Sequence, residues 1–155
     1  MPTKPKTILE VESIPRVNID FMNNTHFEEI EKVKELGKLV SAYQAKDTHT
    51  DAETAEITRA LKNWLAHTIP HFERENQLMQ ETGFPAYPVH SNEHDIALNK
   101  MKNIIQAWEQ NQDIELLADY VFSLWPNWFN DHVNTMDMMT AKFAVMNGFD
   151  PHTSK

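Results

Sequence analysis

Apolar residues recur along the chain at intervals of three and four, in long stretches broken by short polar or proline-bearing segments, and that period predicts helices. The first helix should run from about Phe21 to Ala45, where His26, Ile30, Val33, Gly37 and Val40 share one face. Asp47 to Thr50 reads as a loop, and Thr50 with Glu53 has the spacing of a capping box. The second helix then reaches Glu81 and stops at Gly83, with a kink or restart expected at Pro70, which cannot donate to the carbonyl of Ala66. A Gly/Pro turn over residues 83–88 leads into a third helix from about Val89 to Asn111, with His90, His94, Ala97, Met101, Ile105 and Trp108 in line. The fourth starts near Asp113 and ends at Asn147-Gly148, with a kink or break expected at Pro126. Four long helices on short connections predict an all-α, up-down-up-down four-helix bundle over residues 21–147. Residues 1–20, with Pro2, Pro5 and Pro15, read as an extended N-terminal arm, and residues 148–155 as a C-terminal tail.

Composition narrows the possibilities. At 155 residues the chain fits one domain, and 41% apolar with 24% charged residues is globular. A net charge of -9 without a Lys/Arg cluster argues against nucleic-acid partners. No cysteine occurs, which removes disulfides, thiolate chemistry and Cys-ligated metal sites. The first 20 residues lack the apolar core of a signal peptide, and no run approaches a membrane span, so a soluble, cytoplasmic protein is expected.

Chemistry concentrates on the core-facing stripes. The second helix carries His71-x-x-x-Glu75, the third His90-x-x-x-His94, the fourth His132-x-x-x-x-Asp137, and the first His26 alone. A spacing of four stacks two side chains on one face, and five is looser but within a carboxylate's reach. Buried carboxylates are costly unless paired or metal-bound. Five imidazoles set against two carboxylates therefore point to metal. Imidazole suits Zn, Cu, Fe or Ni. Seven ligands exceed one ion, and two carboxylates are what a dinuclear site needs as bridges. Neither the Glu-x-x-His of ferritin-like di-iron sites nor the His-Glu-x-x-His of zinc proteases is present.

The set His26, His71/Glu75, His90/His94 and His132/Asp137, in this order, resembles the ligand pattern of the hemerythrin family. HFERENQLM around the second motif, WFNDHVNTMD around the fourth and the short Gly/Pro gap between Glu75 and His90 carry the same likeness. It covers roughly residues 18–143. The resemblance implies a non-haem di-iron centre, oxo- or hydroxo-bridged. One iron would sit on His90, His94 and His132, the other on His26 and His71, with Glu75 and Asp137 bridging. The second iron is one ligand short, and there the family binds dioxygen. Trp128, Phe129 and Val133 stand where the family lines its dioxygen pocket, with Phe129 in place of leucine.

The implied role is reversible dioxygen binding, for carriage, storage or local delivery to an oxygen-using enzyme, and not catalysis. The alternatives are an enzyme-like role in peroxide or nitric oxide handling or iron repair, and oxygen sensing. His67, four residues before His71, is expected beside the centre and not on a metal. His49 and His152 should be solvated, and the methionines of the fourth helix should be core filler.

Overall fold

A computed structural model describes residues 14–153. Three long helices come first: α1 (Asp20–Gln44), α2 (Asp51–Thr82) and α3 (Tyr87–Asn111). The fourth is built in pieces. It runs α4 (Ile114–Asp119), a π turn π1 (Tyr120–Leu124), α5 (Trp125–His132), a second π turn π2 (Val133–Asp137) and α6 (Met138–Met146). No strand occurs among the described residues, and none of their helices is long and apolar enough to cross a membrane. The all-α bundle expected from the apolar period is the architecture observed: α2 packs on both α1 and α3, and the fourth helix closes against α1 and α2.

The boundaries are set by local chemistry. Thr50 Oγ1 accepts from the Glu53 N–H at 3.1 Å while Glu53 Oε1 accepts from the Thr50 N–H at 3.0 Å, completing the capping box that starts α2. Gly83 ends α2 at φ 70°, ψ 36°, a left-handed turn that a side chain would strain. The expected restart at Pro70 does not occur, and α2 is unbroken from Asp51 to Thr82. One missing hydrogen bond is outweighed there because Trp64, Thr68, His71 and Phe72 are buried on both sides of the proline.

Pro126 has the opposite outcome. The N–H of Trp125 reaches back five residues to the carbonyl of Tyr120, and the widened turn delivers the proline to the start of α5, where its missing N–H costs little. The second π turn has no proline behind it. It closes with the Met138 N–H on the Val133 carbonyl, again five residues back. That turn brings His132 and Asp137, five apart, round to one side of the helix.

The core has two parts. Val33, Leu36 and Val40 of α1 meet Ile57, Leu61 and Trp64 of α2, Met101 and Ile105 of α3, and Leu117 and Val121 of the fourth helix in an apolar half. The other half is a polar layer across all four helices, holding His26, His71, Glu75, His90, His94, His132 and Asp137, each buried.

Most of the expected N-terminal arm, and the last two residues of the expected tail, lie outside the described residues. What is described of both ends is packed. Ile14, Val17 and Ile19 are buried, and Asn23 holds both backbone groups of Val17 at 2.8 Å. The N–H groups of Asp20 and Phe21, two of the donors left open at the start of α1, are taken by the carbonyls of Pro151 and Thr153 at 2.8 and 2.9 Å.

Candidate metal centre

The three motifs and the lone His26 converge from four helices on one buried volume. His90 and His94 of α3 and His132 of α5 form one side, where the Nε2 atoms of His90 and His94 each lie 3.2 Å from His132 Nε2. His26 of α1 and His71 of α2 form the other. Glu75 and Asp137 stand between, and each turns one oxygen to each side. Glu75 Oε1 lies 3.2 Å from His94 Nε2, while Oε2 lies 3.0 Å from His71 Nε2 and 3.6 Å from His26 Nε2. Asp137 Oδ1 lies 3.0 Å from His90 Nε2 and 3.1 Å from His132 Nε2, while Oδ2 lies 2.9 Å from His26 Nε2.

These short distances are largely not hydrogen bonds. Both nitrogens of His26, Glu75 Oε1 and both oxygens of Asp137 are buried without a hydrogen-bond partner. Lone pairs aimed at common points, not donors aimed at acceptors, explain close contacts that fail as hydrogen bonds. Two ligands at right angles on a metal with bonds of about 2.1 Å lie about 3 Å apart, which is the spacing found here. Orphaned buried polar atoms are rare in native proteins, and a cation would satisfy them together. The residues fit a metal pair: Glu75, His90, His94, His132 and Asp137 offer ligand atoms within 4.8 Å of one another, and so do His26, His71 and Glu75.

Outside the ligand atoms, each imidazole except His26 is held through its far nitrogen. His90 Nδ1 pairs with Thr140 Oγ1 at 2.8 Å, His94 Nδ1 faces Asn76 Oδ1 at 2.9 Å, and His132 Nδ1 donates to Glu93 at 2.7 Å. His71 Nδ1 donates to Glu29 at 3.1 Å. Such contacts fix the tautomer that leaves Nε2 free for a metal. Arg74, inside the His71-to-Glu75 stretch, turns outward and lies 3.8 Å over the Phe21 ring. A third group with metal-like spacing is Glu29, His67 and His71. Glu29 there already accepts from Trp64 Nε1, Thr68 Oγ1, His67 Nδ1 and His71 Nδ1, so its demand is met by hydrogen bonds.

A match to the hemerythrin family model, described as the hemerythrin HHE cation-binding domain, spans residues 17–144. The chain belongs to the hemerythrin family. Among curated relatives it is 35% identical to a bacteriohemerythrin of Ralstonia nicotianae over 100 residues, covering 64% of this chain and 72% of that one. It is 25% identical to a bacteriohemerythrin of Aquifex aeolicus over 135 residues, covering 87% of this chain and 96% of the relative. No solved structure matches the chain significantly. A hemerythrin-type metal-binding protein is the identity that the fold, the buried His/Glu/Asp clusters and these relatives share.

The remaining sequence-predicted residues fall around this centre. The Phe129 ring stands edge-on to His26, centroids 5.5 Å apart, and Val133 is fully buried. Trp128 stacks on His132 at 4.7 Å, on the three-histidine side. His67 lies between Glu28 and Glu29 at 3.0 and 2.9 Å, outside the two main clusters. His49 is exposed in its loop, as expected, and stacks flat on Tyr43 at 3.5 Å with a contact to its carbonyl. Glu29, Asn76, Glu93 and Thr140 went unnoticed in the sequence. Glu29 alone left a signal, three residues after His26 and beside the apolar Ile30 on the core face.

Without metal, part of the layer is held by proton-mediated pairs, His71 with Glu29 and Glu75 and His132 with Glu93. Burial pulls the His71 and His132 pKa values down, but the neighbouring carboxylates outweigh it and push both from 6.5 up to about 10. Burial raises Glu29, but the hydrogen bonds from His67 and His71 win and bring it from 4.5 down to about 2. The two raised histidines contribute stability that is full below pH 6.5 and lost as pH climbs through about 10. Glu29 contributes stability that is present above pH 4.5 and lost as pH falls through about 2. Metal-free protein should therefore resist heat best between about pH 4.5 and 6.5. Thermal unfolding in chelator across pH checks this, and a higher melting temperature at pH 9 than at pH 5.5 would contradict it.

Proposed function

We propose that the centre holds two iron ions and binds dioxygen reversibly, so that the chain serves oxygen carriage, storage or local delivery and not turnover. The carrying observation is the unequal division of ligands about two shared carboxylates. His90, His94 and His132 with one oxygen each of Glu75 and Asp137 give five ligand atoms on one side. His26 and His71 with the other two oxygens give four. An open position on one metal distinguishes a working site from a closed structural one. The iron pair, when bound, supplies two electrons and that open position.

The protein's part is to hold, orient and exclude. Glu75 and Asp137 tie the two halves together, and the held imidazoles keep their Nε2 atoms aimed inward. Phe129 puts apolar surface beside His26, and the buried Val133 follows it in the fourth helix, an apolar lining that suits a small uncharged gas better than water. Trp128 and Phe72 cover the other side by stacking on His132 and His94, at 4.7 and 4.1 Å.

The test is gas exchange on iron-loaded, anaerobically reduced protein, monitored by visible absorption. Air should produce a new band and argon should remove it over repeated cycles. Phe129→Ala should keep its iron and oxidise irreversibly within fewer cycles. Immediate and complete conversion of the unsubstituted protein to a ferric form, or stoichiometric release of peroxide, would overturn the reading and favour an enzyme-like role.

A further inference from the structure

Among the described residues, Glu29 is the one buried carboxylate near the centre that does not stand between its two halves. Its side chain is 1% exposed, yet it meets four donors. Oε2 accepts from Trp64 Nε1 at 2.8 Å and Thr68 Oγ1 at 3.2 Å. Oε1 accepts from His67 Nδ1 at 2.9 Å and from His71 Nδ1 at 3.1 Å. The first pair is anchorage: an indole and a hydroxyl on α2 lock the carboxylate of α1 in one orientation. The second pair is unequal. One ring belongs to the polar layer, and the other, His67, is half-buried and also touches the exposed Glu28.

We propose that Glu29 is the positioning residue of the two-histidine half of the centre, and that His67 moderates it by competing with His71 for the same carboxylate oxygen. A carboxylate can only accept, so His71 Nδ1 must carry the hydrogen, which makes Nε2 the nitrogen that gives its lone pair to a metal held beside Glu75. A carboxylate behind an imidazole also raises its basicity and strengthens it as a ligand. The other half has the same device in Glu93 behind His132, but Glu93 is 30% exposed and water weakens it. The effect of Glu29 on His71 is set within the protein, by how much of Oε1 His67 takes. This inference rests on His71 being a metal ligand.

Zinc-loaded protein, which is diamagnetic, provides the first readout: the imidazole Nδ1 proton of His71 by nuclear magnetic resonance. Iron-loaded protein provides the second, its midpoint potential. Glu29→Gln keeps the shape and removes the charge. The His71 proton should move upfield, the potential should rise, and the more weakly held zinc should lose about 10- to 100-fold in affinity against a competing chelator. His67→Ala frees Oε1 for His71 alone, so both readouts should move the other way. The opposite signs separate this role from simple support of the fold, which would lower the melting temperature and leave proton and potential unmoved. Should Glu29→Gln fail to fold, His67→Ala decides alone: an unshifted His71 proton, or an upfield shift, would overturn the proposal. His71→Ala tells the two levels apart. Full zinc binding in that variant would remove His71 as a ligand, whereas weakened binding there with silent Glu29 and His67 variants would sink only the inference.

Discussion

Replacing Glu75 with alanine should empty most of the centre, whereas replacing His26 should cost only part of it. Like Asp137, Glu75 turns one oxygen to each cluster, 3.2 Å from His94 on one side and 3.0 Å from His71 on the other. Its removal takes one ligand atom and one negative charge from each metal position at once. It also leaves Asp137 as the one carboxylate standing between the two sets of imidazoles, so less negative charge remains to hold two cations. His26→Ala removes a ligand from the four-atom side and leaves the His90/His94/His132 set whole. Iron analysis after reconstitution and desalting should find close to none in Glu75→Ala and about half the normal content in His26→Ala, as for a dinuclear carboxylate-bridged site. Full iron in Glu75→Ala would mean that the carboxylate does not bridge, and full iron in His26→Ala would remove α1 from the site.

Stripping the metal should destabilise the whole bundle, because the polar layer joins all four helices. An ion that binds only the folded chain adds about 2.7 kcal/mol when its free concentration is a hundred times its dissociation constant. For a domain of this size each kcal/mol moves the melting temperature by roughly 2–4 °C. Each ion should therefore raise it by roughly 5–10 °C, and chelation should reverse both increments. Calorimetry of metal-free and reconstituted protein measures this. Equal melting temperatures would show that the layer is already satisfied without cations, against the five orphaned atoms of His26, Glu75 and Asp137.

The bundle and five of the seven convergent residues, His26, His71, Glu75, His90 and His94, were legible in the sequence for one physical reason. A helix repeats its face every three to four residues, so polar residues placed on an apolar stripe announce their position. His71 with Glu75 and His90 with His94 obey that rule directly. His132 with Asp137 does not, and the π turn that unites them carries no composition signal, because VNTMD has neither proline nor glycine. At Pro70, where a kink or a restart was expected, the restart is absent, since a proline flanked by buried anchors need not end a helix. The supports behind the imidazoles were the least visible. Glu93, Asn76 and Thr140 are ordinary polar residues whose partners lie 39, 18 and 50 positions away, and no local period encodes such pairings.

The π turn over Val133–Asp137 makes the end of the fourth helix a matter of counting. Deleting any one residue from its Val133–Met136 portion would let the segment relax into a regular helix without changing the type of any side chain that remains. A π turn carries one residue more than an α turn, so such a deletion leaves His132 and the aspartate four apart, still on one face, whereas each further residue removed rotates the downstream part by about 100°. With a second deletion, or with an insertion, Asp137 would leave the shared edge of the two clusters, and Thr140, three residues on, would swing away from His90. This stretch should thus accept many exchanges of letter and the loss of one residue, while an insertion or a second deletion should cost the centre as well.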